Sequence, residues 1–150
     1  MNLKDYYKIS QHIKAQAPSL IHEYSLTNRN EPKKPKQIFI ENNKKIDFVD
    51  FLEKPFLMVK DDFKKVVQLY NKDYNYNPVR LSKRGGEGML YWYIDLPNIN
   101  IEKQSIEEYS NLSFFKYKKG LATRSIYYIR LDLLESLLRR GIAGFQLQET

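Results

Sequence analysis

Apolar and polar positions along this chain change period twice in the same order, and that change sets the expected elements. Phe56-Leu57-Met58-Val59 is a short apolar run of strand length. After Asp61 the spacing lengthens, and Phe63, Val66, Val67 and Tyr70 fall on one face of a helix. Pro78-Val79-Arg80-Leu81 returns to an extended pattern. The order recurs downstream: Tyr127-Tyr128-Ile129, then Asp132, then Leu134, Leu137 and Leu138 on one helical face, then Gly144-Phe145-Gln146-Leu147. The copies align 71 positions apart, as Asp61 to Asp132 shows. The spacing therefore predicts one internal duplication of a strand–helix–strand unit. Asp61 and Asp132 are placed to cap the two helices, because a short acidic side chain accepts from free N–H groups of the first turn. Asp132 and Glu135 have capping-box spacing. Gly141 fits the left-handed position just past the second helix.

Between and before the copies the pattern is less regular. Asp5 as a cap, with Tyr6, Ile9 and Ile13 at helical spacing, predicts a helix over 5–17 ended by Pro18. Residues 25–37 read as a loop, with two prolines among polar residues. Gln37 to Glu41 predicts a strand, and a turn over 42–45 would join it in a hairpin to a strand over 46–51. Lys83 to Gly88 is a glycine-rich turn, and Leu90 to Leu96 is an aromatic strand. A helical turn from Ser105, a strand over 112–117 and a turn over 118–120 complete the reading. The expected core is Phe56, Met58, Phe63, Val66, Val67, Tyr91, Tyr93, Ile129, Leu134, Leu137, Leu138 and Phe145. The expected fold is a single α+β domain over 1–150, one mixed, largely antiparallel sheet with a few short helices packed on it.

Composition changes this picture little. The 150 residues suit one domain. No apolar run approaches the ~20 residues that span a bilayer, and the first residues lack the apolar stretch of a secretion signal. With no cysteine there is no disulfide or thiolate ligand, which fits a reducing compartment. The expected location is the cytoplasm, with no membrane partner. The net charge of +7 invites an anionic partner. Its densest part is Arg29 to Lys45, with six basic residues against two acidic ones. A nucleic-acid reading would use Lys33, Lys34 and Lys36 on phosphates and aromatic side chains for stacking.

Catalytic chemistry finds little footing. The two histidines, His12 and His22, stand in no catalytic or metal-binding motif. Asp61-Asp62 and Glu107-Glu108 are adjacent pairs, which point apart on a helix and make no shared cage. Lys83 to Gly88 lacks the Gly-Lys-Ser/Thr ending of a phosphate loop. No catalytic residue, metal, cofactor or small-molecule substrate is expected. Exposed loops carry function more often than packed elements. The partner-binding candidates are therefore Lys33, Lys34, Lys36 and Arg84 on loops, with the aromatics Tyr74 and Tyr76.

From about Phe48 to Leu147 the chain resembles a family of bacterial immunity proteins that neutralise polymorphic toxins, immunity protein family eleven. The matching pieces are Pro55 to Phe63, Tyr91 to Asp95, Ile101 to Ser105, and the ending Gly141-Ile142-Ala143-Gly144-Phe145. The strand-to-helix corners depart from it, reading Lys60-Asp61 and Leu131-Asp132 where a small hydroxyl residue would stand beside the acid. The resemblance implies a cytoplasmic, non-enzymatic protein that inhibits a cognate toxin stoichiometrically. The alternative is a basic nucleic-acid-binding accessory protein.

Overall fold

A computed structural model of the chain describes residues 4–12, 36–40, 48–53, 56–83, 86, 88–118 and 124–150. Nine strands and three helices lie in this part: β1 (Tyr6–Gln11), β2 (Lys36–Ile40), β3 (Phe51–Leu52), β4 (Met58–Lys60), α1 (Asp61–Tyr70), β5 (Asn75–Lys83), β6 (Gly88–Asp95), α2 (Ile106–Tyr109), β7 (Phe114–Tyr117), β8 (Ile126–Arg130), α3 (Leu131–Arg139) and β9 (Phe145–Glu149). The strands form two sheets rather than one, in the orders β7-β8-β1-β9 and β2-β5-β6-β4-β3. All pairings are antiparallel except β2 with β5. The fold is α+β, as the pattern predicts.

The duplication is present in the topology. β4 and β5 both pair antiparallel with β6; they are therefore parallel to each other, joined by α1, with β6 between them. β8 and β9 both pair antiparallel with β1, are joined by α3, and hold β1 between them. β3 flanks β4 as β7 flanks β8. The central strand of the first copy follows its unit in the chain. That of the second copy is the N-terminal strand β1, a hundred or so residues away in sequence.

Strand alternation divides the core into layers. Val59, Ile94, Phe114, Tyr127, Ile129 and Ile9 face the space between the sheets, with Phe63, Val66 and Val67 of α1 and Leu133, Leu134 and Leu137 of α3. Phe63 sits at the centre, its ring 6.0 Å from Phe51 and 6.2 Å from both Phe114 and Phe145. It thus ties one sheet to the other. Met58, Val79, Leu81, Tyr91 and Tyr93 form a second layer on the far face of the five-stranded sheet. Tyr6, Phe115, Tyr117 and Tyr128 form a third with Ile99 and Tyr109.

Several expectations are corrected. Residues 6–11 are a strand, not the start of a helix. β1 is central and is packed from both faces, so its burial recurs at Tyr6 and Ile9 and imitates helical spacing. Ile13 and Pro18 lie outside the described residues, as do the turn over 42–45 and residues 25–35 of the loop expected over 25–37; Lys36 and Gln37 of that loop instead begin β2. β2 pairs not with a following hairpin strand but with β5. Phe51 and Leu52 pair instead with β4, where Lys60 N–H also reaches the Asp50 carbonyl at 3.0 Å. The glycine-rich turn does join a hairpin, β5 to β6.

Asp61 and Asp132 are not caps. Each strand runs straight into its helix, and the cap positions are Lys60 and Arg130 in extended conformation with no side-chain cap bond. The acids lie inside the first turn, where negative charge still suits the helix dipole. Glu135 pairs with Arg139 at 3.6 Å rather than closing a capping box. Leu138 is 49% exposed and Phe145 only partly buried, while Leu133 takes the core position. The end of α3 is as expected. Gly141 has φ +72°, its N–H reaches Leu138 O at 3.0 Å, and Ile142 N–H reaches Leu137 O at 3.1 Å. These two bonds make a Schellman motif, with Ile142 packed in the core beside Leu137.

Candidate partner-binding surface

α1 places its buried stripe inward, which leaves Asp62, Lys65 and Leu69 along its outer face. Leu69 lies roughly 120° around the helix from Phe63 and is 71% exposed. It borders an open groove of 420 Å³ lined by Asp62, Lys65, Val66, Leu69, Arg140 and Ile142. The Schellman turn after α3 thus forms one wall and α1 the other. Tyr70 fixes the two helices together. Its hydroxyl donates to the Asp132 carbonyl at 3.2 Å and makes a short bond with the Ser136 hydroxyl.

The other flank of α1 carries a charged and aromatic cluster. Lys64 Nζ lies 4.1 Å from the Trp92 ring centre and 5.7 Å from that of Tyr76. Trp92 Nε1 donates to Asp61 Oδ1 at 2.9 Å, and Lys65 Nζ meets Asp61 Oδ2 at 3.0 Å. The Lys65 hydrogen bond lowers the Asp61 pKa, partial burial opposes it, and Trp92 adds to the lowering. At Asp132 burial raises the pKa, but the hydrogen bonds from Arg130 and the Leu133 amide outweigh it, and the net shift is downward. Both acids are held ionised in structural pairs.

The sequence candidates are dispersed. Lys33, Lys34 and Arg84 lie outside the described residues. Lys36 begins β2, opposite Val79. Tyr74 and Tyr76 are half-buried against the central core, and their hydroxyls are held within the molecule. Tyr74 donates to the Phe114 carbonyl at 2.6 Å and Tyr76 to the Asn71 carbonyl at 2.7 Å. Burial pushes both phenols far above the usual tyrosine pKa. Among the described candidates, Tyr76 adjoins the α1 cluster through Lys64.

Sequence reasoning passed over Leu69, Lys64 and Arg140, and considered Trp92 only as a stacking face for nucleic-acid bases. Leu69 had a legible signal, since it is a large apolar residue outside the Phe63-Val66-Val67-Tyr70 stripe. The others depend on β6 and the turn after α3 meeting α1, which no local pattern encodes.

A second cleft, of 430 Å³, opens over β1 and β8 and is lined by Lys8, Ser10, Glu53, Arg124, Ile126 and Gln148 among others. Glu53 is committed there. It accepts from the Gln11 amide at 2.8 Å, and Gln11 accepts in return from the Glu53 amide at 3.1 Å. Arg124 pairs with the same carboxylate at 3.5 Å. Among the described residues no group of three His, Asp or Glu side chains is close enough to hold a metal ion. No helix there is long and apolar enough to cross a membrane.

Compared with known proteins, the chain matches no family model and no curated protein.

Proposed function

We propose that this chain is a cytoplasmic immunity-type protein that binds a bacterial toxin domain one-to-one and blocks it without catalysis. One observation carries the reading: α1 presents a 71% exposed leucine on a rigid helix inside a ring of charged side chains. Protein interfaces concentrate their affinity in a few apolar or aromatic anchors within a polar rim. Leu69 is such an anchor, and Asp62, Lys65 and Arg140 form such a rim. On the other flank of α1, Trp92 and Tyr76 beside Lys64 add aromatic side chains, a type enriched at interfaces. The class of partner comes from the resemblance of Pro55 to Phe63 and Gly141 to Phe145 to immunity proteins. Those two segments contribute Asp62 and Ile142 to the groove. The net charge of +7 favours a toxin with an acidic docking face.

The test is co-expression with the variable C-terminal domain of a toxin encoded beside this chain. Growth should be rescued and a one-to-one complex recovered. Leu69→Asp should weaken the complex by about 30-fold or more, the scale of a hot-spot residue, with unchanged thermal stability. Undiminished affinity in Leu69→Asp would remove α1 from the interface.

A further inference from the structure

Partners in the ladders of the five-stranded sheet share a face, so the register maps what lies beside α1. Val59 belongs to the core under α1, and Trp92 and Pro78 follow it across β6 and β5. The next row on this face is Leu90 of β6, Arg80 of β5 and Gln37 of β2, each opposite the one before. All three are exposed, Leu90 by 39%. The helix thus covers one end of the face and leaves a patch open beside it.

Two cations stand on this patch. At its α1 border, Lys64 rests over the rings of Trp92 and Tyr76. On β5, the Arg80 guanidinium lies over Gly88, where a Cβ would fall 3.0 Å from its Nε and 3.1 Å from its Nη2. The missing side chain at residue 88 gives the guanidinium its seat. Among the described residues neither Lys64 nor Arg80 enters an ion pair. Asp61, the acid beside Trp92, is taken up by Trp92 and Lys65.

We propose that this patch docks a carboxylate-bearing protein surface, with carboxylates on Arg80 and Lys64 and an apolar side chain on Leu90. The inference rests on the toxin reading for the partner's identity, and adds where the toxin's acidic face meets this chain. Charge complementarity carries it: two cations that lack counter-ions are already held in place by a glycine seat and by aromatic rings, so little ordering is spent when carboxylates arrive. The same chemistry favours a protein over a nucleic acid. Bases bind by stacking on aromatic faces, and the Trp92 ring already carries Lys64 at 4.1 Å while its N–H is bound to Asp61 at 2.9 Å. Leu90 and Pro78 offer apolar contact but no aromatic ring.

Fluorine NMR of the full chain tests this, because Trp92 is its single tryptophan and fluorotryptophan there reports on the patch. Adding the toxin domain encoded beside this chain should shift that one resonance. Arg80→Glu should weaken the complex by about tenfold or more, and added salt should slow association. If Arg80→Glu loses its native circular dichroism, Leu90→Asp carries the test, since it sets a carboxylate against the acidic face with Arg80 in place. One result overturns this inference and leaves the α1 reading standing: a complex that Leu69→Asp weakens, but in which the Trp92 resonance stays put and both patch variants bind as tightly as the parent. No complex with the parent chain overturns both. Oligothymidine that shifts the resonance and competes with the toxin domain also overturns the proposal, and assigns the patch to nucleic acid.

Discussion

At the scale of single residues, backbone constraints and buried phenols make the sharpest predictions. Gly141 and Gly144 both have positive φ, +72° and +86°. A Cβ at Gly141 would meet nothing within 4 Å, whereas one at Gly144 would lie 3.0 Å from Val49 Cβ and 3.2 Å from the Asp50 amide nitrogen. Gly141→Ala should cost about 1–2 kcal/mol from left-handed strain alone, and Gly144→Ala should cost more. Urea denaturation of the two variants measures the difference. Titration gives a second prediction. Tyr74, Tyr76 and Tyr91 have pKa values pushed far above the usual 10.0 by burial. A raised folded pKa means that the folded state keeps the proton longer. Stability is then whole below pH 10 and declines as pH rises beyond it. Ultraviolet titration should show these phenols ionising together with unfolding. Asp61 and Asp132 have lowered pKa values, so their contribution is present above the usual 3.8 and is lost as pH falls through the folded values. Both side chains are more than a third exposed, so that acid loss should be small.

At the scale of elements, α1 and α3 show how far local pattern reaches. Phe63, Val66 and Val67 are buried as their spacing predicts, because α1 meets the sheets along a single stripe. In α3 the stripe is rotated: Leu133, Leu134 and Leu137 are buried and Leu138 is not. A run of leucines carries no phase of its own, and the packing partner chooses among them. Leu137→Ala should therefore destabilise by about 2–5 kcal/mol, whereas Leu138→Ala should stay within about 0.5 kcal/mol. Equal losses would contradict this packing. Phe63→Ala should cost about 3–5 kcal/mol, because its ring joins both sheets. The aromatic strand β6 was legible from its branched and ring side chains. β1 was not, because a strand buried on both faces loses its period of two. The acids after β4 and β8 looked like caps because the sequence marks where a helix begins only to within a residue or two.

At the scale of the whole molecule, the chain repeats one frame twice and completes the second copy with its first strand. The repeat could be read from the sequence, since both strand–helix corners lie within short continuous segments. The borrowed strand could not, since nothing local ties Tyr6–Gln11 to Ile126–Arg130. The candidate surface follows the same division. Leu69 was visible as an apolar residue out of phase. Its neighbours Arg140 and Ile142 reach it only through the packing of α1 beside α3. The α1 face is the proposed docking surface for a toxin domain. Titration calorimetry of the purified chain against that domain tests the claim most directly. It predicts one-to-one binding with loss of toxic activity in step with occupancy, and about 30-fold or more weaker binding by Leu69→Asp. No binding, or binding that leaves the toxin fully active, would contradict it.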